Sequence, residues 1–204
     1  MFGVCNGTAG ARIRRHNMVV KALAAFMRER CDMSVTEELK SSAIDGRCST
    51  NHRLDVIGFS PEFPEGVGLD ATVIIANSAT ALGEEEREAG GALKAAERRK
   101  ARHYRNHGNE MRVPGGAFKF SPFAVSHTGG IGPGTATDQI AGALVRAARA
   151  VAHRRGLDEE EEWSAGKLSH ELRSTVAVAV ANGNALVVNQ VAGWGGGGTA
   201  QPRY

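Results

Sequence analysis

Two apolar, β-branched runs separated by a turn constrain this chain more than any other feature. They are His52-Arg53-Leu54-Asp55-Val56-Ile57 and Leu69-Asp70-Ala71-Thr72-Val73-Ile74-Ile75. Between them, Ser60-Pro61-Glu62-Phe63-Pro64-Glu65-Gly66 has the residues of a loop, so the region reads as a β-hairpin with strands over roughly 52–59 and 67–75. Each strand contains one aspartate. A hairpin folded about Glu62 and Phe63 sets Asp55 directly across from Asp70, where Cβ atoms are about 4.5–5.5 Å apart and like charges destabilise. Two carboxylates that close call for a cation, and Mg2+, held through one or two carboxylates with phosphate oxygens and water, meets the need. A slip of one residue would instead send the acids to opposite faces as ordinary solvated strand residues.

The rest of the chain supplies packing for such a hairpin. Val19, Leu23, Phe26 and Met27 recur at helical spacing, which predicts an amphipathic helix over 17–31. Ser34 to Leu39 reads as a further strand with Glu37 and Glu38 near its end. A helix is predicted from Ala92 to Asn106, stopped by Gly108, and a strand over Ala117–Val125. Pro122 in that strand marks an edge position or a bulge. Thr135 and Asp138 are spaced as a capping box for a helix whose apolar face is Ile140, Leu144, Ala148 and Val151. An acidic loop follows, and residues 166–192 predict one or two helices broken near Asn182-Gly183-Asn184. A mixed sheet flanked by helices is the natural packing for this order, an α/β fold.

Composition matters mainly for what it excludes. No apolar run approaches the roughly 18–20 residues of a membrane span. The three cysteines, Cys5, Cys31 and Cys48, form no C-x-x-C pair and cannot all pair with one another. That points to a reducing compartment such as the nucleus. A basic N-terminal segment (Arg12, Arg14, Arg15, Lys21, Arg28) free of acid leaves a mitochondrial transit peptide as the alternative, although it lacks serine. The net charge is only +3, but basic residues gather in Lys94–Arg112 and acids in Glu84–Glu86 and Asp158–Glu162. The acidic runs read as solvated surface. The basic helix, with Arg98, Arg99, Lys100, Arg102 and Arg105, is the better place for phosphate contacts.

Several familiar chemistries lack their residues. Gly129-Gly130-Ile131-Gly132-Pro133-Gly134 has neither G-K-[ST] nor G-x-G-x-x-G spacing and reads as a connector. There is no G-x-S-x-G elbow. Cys48 near His52 has no third group to orient it, and His127 reads as a surface or packing residue. Cys5 and His16 are two zinc-type ligands where a structural site needs four, so zinc is not expected here. Phosphodiester hydrolysis is a chemistry the residues allow. It needs a metal to activate water and a cation near the scissile phosphate. Asp55 and Asp70 suit the first role, and Lys100, on the helix after the second aspartate strand, suits the second.

These residues resemble the restriction-enzyme-like, PD-(D/E)xK-type endonuclease at the C-terminus of non-LTR retrotransposon reverse-transcriptase polyproteins. Arg53-Leu54-Asp55, then fourteen residues, then Asp70 resembles its K/R-P-D signature and second acid. Leu69-Asp70-Ala71-Thr72-Val73 resembles its L-D-V-T-V strand. Ala95-Ala96-Glu97-Arg98-Arg99-Lys100-Ala101-Arg102-His103-Tyr104 resembles its A-E-x-x-K-x-x-K-Y helix, with His103 at the second lysine. Arg15-His16-Asn17, Phe120-Ser121-Pro122-Phe123 with Gly129-Gly130, and Asn182-Gly183-Asn184-Ala185 extend the likeness over roughly residues 5–190. Leu54 departs from the signature proline, and Thr72 stands where a strict D-x-K pattern has lysine. Only Cys5 and His16 represent the zinc knuckle, and no reverse-transcriptase domain is present.

The resemblance implies a restriction-endonuclease-like core over 17–156. A partial zinc-motif remnant (1–16) would precede it, and an acidic loop with a C-terminal helical extension (157–192) and a disordered tail (193–204) would follow. It implies DNA nicking with Mg2+ or Mn2+ held by Asp55 and Asp70, and Lys100 orienting water or stabilising the phosphate. Glu37 or Glu38 would serve as a third acid, and Arg98, Arg99 and Arg102 would contact DNA, with element RNA a further partner. The rival expectation is a detached remnant that binds DNA, or keeps the fold, without cleaving.

Overall fold

Helix α1, Ala9–Glu29, has no acid in its first turn to offset the helix dipole. Packing holds it instead. Val19, Leu23, Ala24 and Met27 are completely buried on one face, and each large apolar side chain so placed stabilises by roughly 1.5–3 kcal/mol. The helix starts before the expected residue 17, so residues 9–16 are its first two turns rather than a separate zinc-motif segment. The computed structural model describes residues 9–40, 53–75, 78–106, 112–113, 116–117, 119–157 and 160–195. Cys5, Cys48, His52, Gly108 and the tail beyond Gly195 lie outside them.

Strands β1 (Ser34–Lys40), β2 (Arg53–Ser60) and β3 (Phe63–Ile74) form an antiparallel meander. After β3 come helices α2 (Ala79–Arg87) and α3 (Gly91–Asn106), and a small pair, β4 (Arg112–Val113) with β5 (Gly116–Ala117). Strand β6 (Lys119–Ser126) then returns parallel to β3, giving a mixed sheet in the order β1-β2-β3-β6. Pro122, with no N–H to donate, therefore sits in an edge strand, as expected. Helix α2 was not expected. Ser78 caps it, its hydroxyl accepting the Ala81 N–H at 3.2 Å.

The hairpin register carries the site. The tight turn is Pro61-Glu62, flanked by Ser60 paired with Phe63, one residue earlier than expected. Between that pair and the pair Gly58–Val67, Phe59 alone faces Pro64-Glu65-Gly66. Gly66 makes this bulge feasible. Its φ is +81°, and a Cβ there would lie 2.4 Å from the Phe59 ring. The bulge restores the expected register further along, where Val56 pairs with Leu69. Continuing it by one residue sets Asp55 opposite Asp70.

Helix α4 (Ala136–Arg155) begins at Thr135, whose hydroxyl accepts the Asp138 N–H at 3.0 Å, and ends at Gly156 in the left-handed conformation. A 3-10 turn (Glu161–Trp163) leads into α5, Ala165–Gly195. This last helix is unbroken at Asn182-Gly183-Asn184, contrary to the local propensity. There α1 crosses it so closely that a Cβ on Gly183 would stand 2.6 Å from the Arg15 Cα. Arg15 Nη1 donates to Asn184 Oδ1 at 2.8 Å, and Asn184 Nδ2 donates to the His127 carbonyl at 2.6 Å. Tertiary packing overrides propensity at this point.

Helices α1, α4 and α5 cover one sheet face. Val56, Val67, Leu69, Ala71, Phe123 and Val125 share a single core with Leu144, Leu168, Leu172 and Val176. Helix α5 is thus part of the central packing rather than an appendage. Helix α3 covers the other face, where Leu93 and Ala96 pack on Ala124 and Ile74. Among the described residues no helix is long and apolar enough to cross a membrane.

Candidate functional site

Alternation along β3 decides which residues can meet α3. Leu69, Ala71 and Val73 point to the large core, so Asp70, Thr72 and Ile74 point to the α3 side. Asp70 is nearly fully buried there, and Lys100 reaches it from α3, Nζ to Oδ1 at 2.8 Å. Lys100 itself remains a third exposed, so its stem lies along the protein while its charge reaches the acid.

Asp55 stands where the β2–β3 ladder ends. Its Oδ2 accepts the Ala71 N–H at 2.7 Å, taking up a donor the ladder leaves over. Its Oδ1 lies 3.2 Å from His16 Nε2, which arrives from the second turn of α1. The Asp55 and Asp70 carboxyl groups lie near enough for each to shift the other's pKa. Four residues from four elements therefore gather in one cluster, with His16 on Asp55, Lys100 on Asp70 and the two aspartates opposed by register. His16, expected as half of a zinc remnant with Cys5, is a member of this cluster.

The two acids behave differently. For Asp70, burial pushes the pKa up, Lys100 pulls it down, and Asp55 pushes it up again, leaving it at about 6. For Asp55, burial also works upward, but the His16 hydrogen bond and charge, with Asp70 and the Ala71 N–H, hold it below the ordinary range. The Asp55 hydrogen bond raises His16 in turn, against its desolvation. Like charges so near each other cannot both ionise freely, and the pair resolves this by loading the first proton on Asp70.

The surroundings sort the remaining expected residues. Glu37, level with Val56 in the sheet, pairs with Arg28 of α1 at 2.8 Å and not with the aspartates. Glu38 falls opposite Asp55 by register, but its backbone is left-handed (φ 53°) and its side chain exposed. Among the described residues no group of three or more His, Cys, Asp or Glu could hold a metal ion. A divalent ion here would thus have Asp55 and Asp70 as its protein carboxylates, with water and phosphate completing the shell, as suits Mg2+. The residues fit that group, because two neighbouring carboxylates, one of them buried with a raised pKa, supply oxygen donors, and they carry negative charge beyond what Lys100 neutralises whenever His16 is uncharged.

Of the expected DNA contacts, Arg99 lines a cleft with Thr72, Ala96, Lys100 and His103, of about 300 Å3. Arg98 and Arg102 are exposed and lie roughly 160° around the helix from Lys100. They are not beside the acids.

Glu97 does a different job from its neighbours. Its buried carboxylate accepts the Ala136 and Thr137 N–H groups at 2.9 and 2.8 Å and the Thr137 hydroxyl at 2.6 Å. The start of a helix is where an acid is most useful, because free N–H groups and the dipole both favour it. Thr137 Oγ1 also accepts the Ala124 N–H of β6 at 2.6 Å. Glu97 thereby fixes α3 against α4 and the sheet, one turn before Lys100. No family model matches the chain, and no curated protein matches its sequence.

Proposed function

We propose that this chain is a metal-dependent DNA endonuclease domain with a restriction-endonuclease-like core, of the kind found in non-LTR retrotransposons. The single observation that carries the reading is the cluster of Asp55, Asp70 and Lys100, with the two aspartates facing each other by register, each shifting the other's pKa, and Lys100 Nζ 2.8 Å from Asp70. That trio has the donor set phosphodiester hydrolysis requires, two acids for a divalent ion and one cation for the phosphate. The ion, bound by Asp55 and Asp70, would supply Lewis-acid activation of water and neutralise charge on the phosphate. Asp55, kept ionised by His16, is the acid better suited to a resident ligand. Lys100 is placed to leave Asp70 for a phosphate oxygen once the acid's charge is otherwise met.

The test is nicking of supercoiled plasmid DNA with Mg2+ or Mn2+ by wild type, Asp55→Ala, Asp70→Ala and Lys100→Ala. The expected outcome is at least a hundredfold loss in each aspartate variant. Equal nicking by wild type and both aspartate variants overturns the reading. Salt-sensitive DNA binding with no nicking and no response to metal removal would leave the non-catalytic DNA-binding alternative.

A further inference from the structure

Ala96, Arg99, Lys100 and His103 fall at the three- and four-residue spacings that share one helix face. That stripe faces Thr72 across the cleft. Thr72 is two residues beyond Asp70 on the same face of β3, a step of about 6.6 Å along the strand. The cleft therefore continues the acid pair lengthwise, and Lys100 belongs to both, lining the cleft while its Nζ contacts Asp70.

The lining is chemically one-sided. It offers a guanidinium, an ammonium, an imidazole and a hydroxyl over an alanine floor, and its five residues include no carboxylate. The planar arginine fork matches phosphate oxygens two at a time, which a lysine does not. The offset from the acids, one side-chain step along the strand, is comparable to the spacing of successive phosphates in an extended nucleic-acid strand.

We propose that this cleft is a phosphate subsite for a nucleic-acid strand, taking the phosphate next to the one presented to Asp55 and Asp70. Arg99 is its anchor, and His103 and Thr72 are accessory donors. The identity of the neighbouring phosphate rests on the nuclease reading; phosphate binding in the cleft does not. Arg98, roughly 150° around the helix from the middle of that stripe, and Arg102 carry the same charge but do not line the cleft.

The experiment uses the full chain in EDTA, so that cleavage plays no part, and a fluorescent single-stranded DNA oligonucleotide read by anisotropy from 50 to 200 mM salt. Arg99→Ala should weaken binding about tenfold and lower the salt slope by about 0.7, the loss of one phosphate contact on a single strand. Arg99→Lys should fall between it and wild type. Arg98→Ala should change affinity less than about twofold while removing the same charge. Because the cleft recognises phosphate, an RNA oligonucleotide of the same sequence should show the same ratio of wild type to Arg99→Ala. Equal weakening by Arg98→Ala and Arg99→Ala, or no weakening by Arg99→Ala, overturns the subsite. Absent nicking with selective Arg99 dependence removes the nuclease reading and leaves the subsite; intact nicking with a neutral Arg99→Ala does the reverse.

Discussion

Lys100 Nζ and Asp70 Oδ1 meet at 2.8 Å although they are thirty positions apart in sequence, with α2 between them. The contact ties the middle of α3 to the middle of β3 and brings a permanent cation to a buried acid. It does not by itself neutralise the site, because Asp55 adds a second negative charge from the adjoining strand, which His16 answers only when protonated. The chain retains an electrostatically costly arrangement that a simpler core residue would avoid, and such costs concentrate at functional sites.

That cost has a pH signature. An unfolded aspartate loses its proton near pH 4, whereas folded Asp70 keeps it until about 6. Between those values the folded state binds more protons, so this contribution to stability falls as pH rises through the window and stays low above it. Asp70→Asn should therefore be more stable than wild type by about 1–2 kcal/mol at pH 7.5 without metal, Lys100 being free to turn to solvent. The gain should vanish near pH 4. Thermal unfolding of both proteins across pH 4 to 8 checks it.

Divalent metal should relieve the same repulsion. Adding 10 mM Mg2+ at pH 7.5 should raise the melting temperature of wild type by several degrees, as binding to the folded state alone requires. Asp55→Asn and Asp70→Asn should show no such rise. Differential scanning fluorimetry with Mg2+, and with Na+ at matched ionic strength, separates specific binding from screening.

His16→Ala tests the other end of the cluster. Without the imidazole, Asp55 loses the partner that outweighs its burial, and its pKa should rise. The pair's stabilisation is complete only between the two titrations. It disappears as pH falls through the Asp55 value, and as pH rises through the raised His16 value. The variant should be about 1 kcal/mol less stable near pH 5.5, with a smaller deficit on either side. Carboxyl chemical shifts against pH read the Asp55 change directly, and His16→Gln, which retains a donor, should recover part of it.

Removing Glu97 should damage the fold more than removing its basic neighbours. Three donors, including two N–H groups at the α4 start, lose a buried charged acceptor. Glu97→Ala should cost about 3 kcal/mol, and Arg98→Ala under about 0.5 kcal/mol, in urea unfolding.

The α1–α5 crossing predicts a steric result. A methyl group at Gly183 meets the backbone of Arg15 at 2.6 Å, and backbone cannot rotate aside. Gly183→Ala should destabilise by about 1–3 kcal/mol despite alanine's better helix propensity. Gly166→Ala, in the same helix with open space around it, should be neutral or stabilising. Paired melting curves give the comparison.

The pattern of apolar residues disclosed the sheet and most helices, because periodicity reports which face is buried, and the two aspartates stood out by interrupting it. Helix α2 was hidden because Glu84-Glu85-Glu86 looks like solvated surface, and solvated surface is compatible with a helix. The predicted break at Asn182-Gly183-Asn184 failed for the opposite reason: residues that weaken a helix locally are there to admit Arg15. His16 was visible as a residue but not as a neighbour of Asp55. Nothing in local spacing reveals that a helix starting at Ala9 passes the end of the β2–β3 ladder. Arg98, Arg99 and Arg102 are equivalent in composition, and only helix rotation against β3 separates Arg99 from the others.

The bulge opposite Phe59 sets a parity rule for change in this hairpin. Three residues facing one displace the strands by two positions, and side chains alternate with a period of two, so the acids stay on the same face. A change of two residues in one arm that the bulge does not absorb leaves them on the same face, two positions apart; an unabsorbed change of one separates them across the sheet. The loop can therefore vary in sequence so long as Gly58 still meets Val67, and it is the bulge, rather than the turn itself, that keeps the acids opposed.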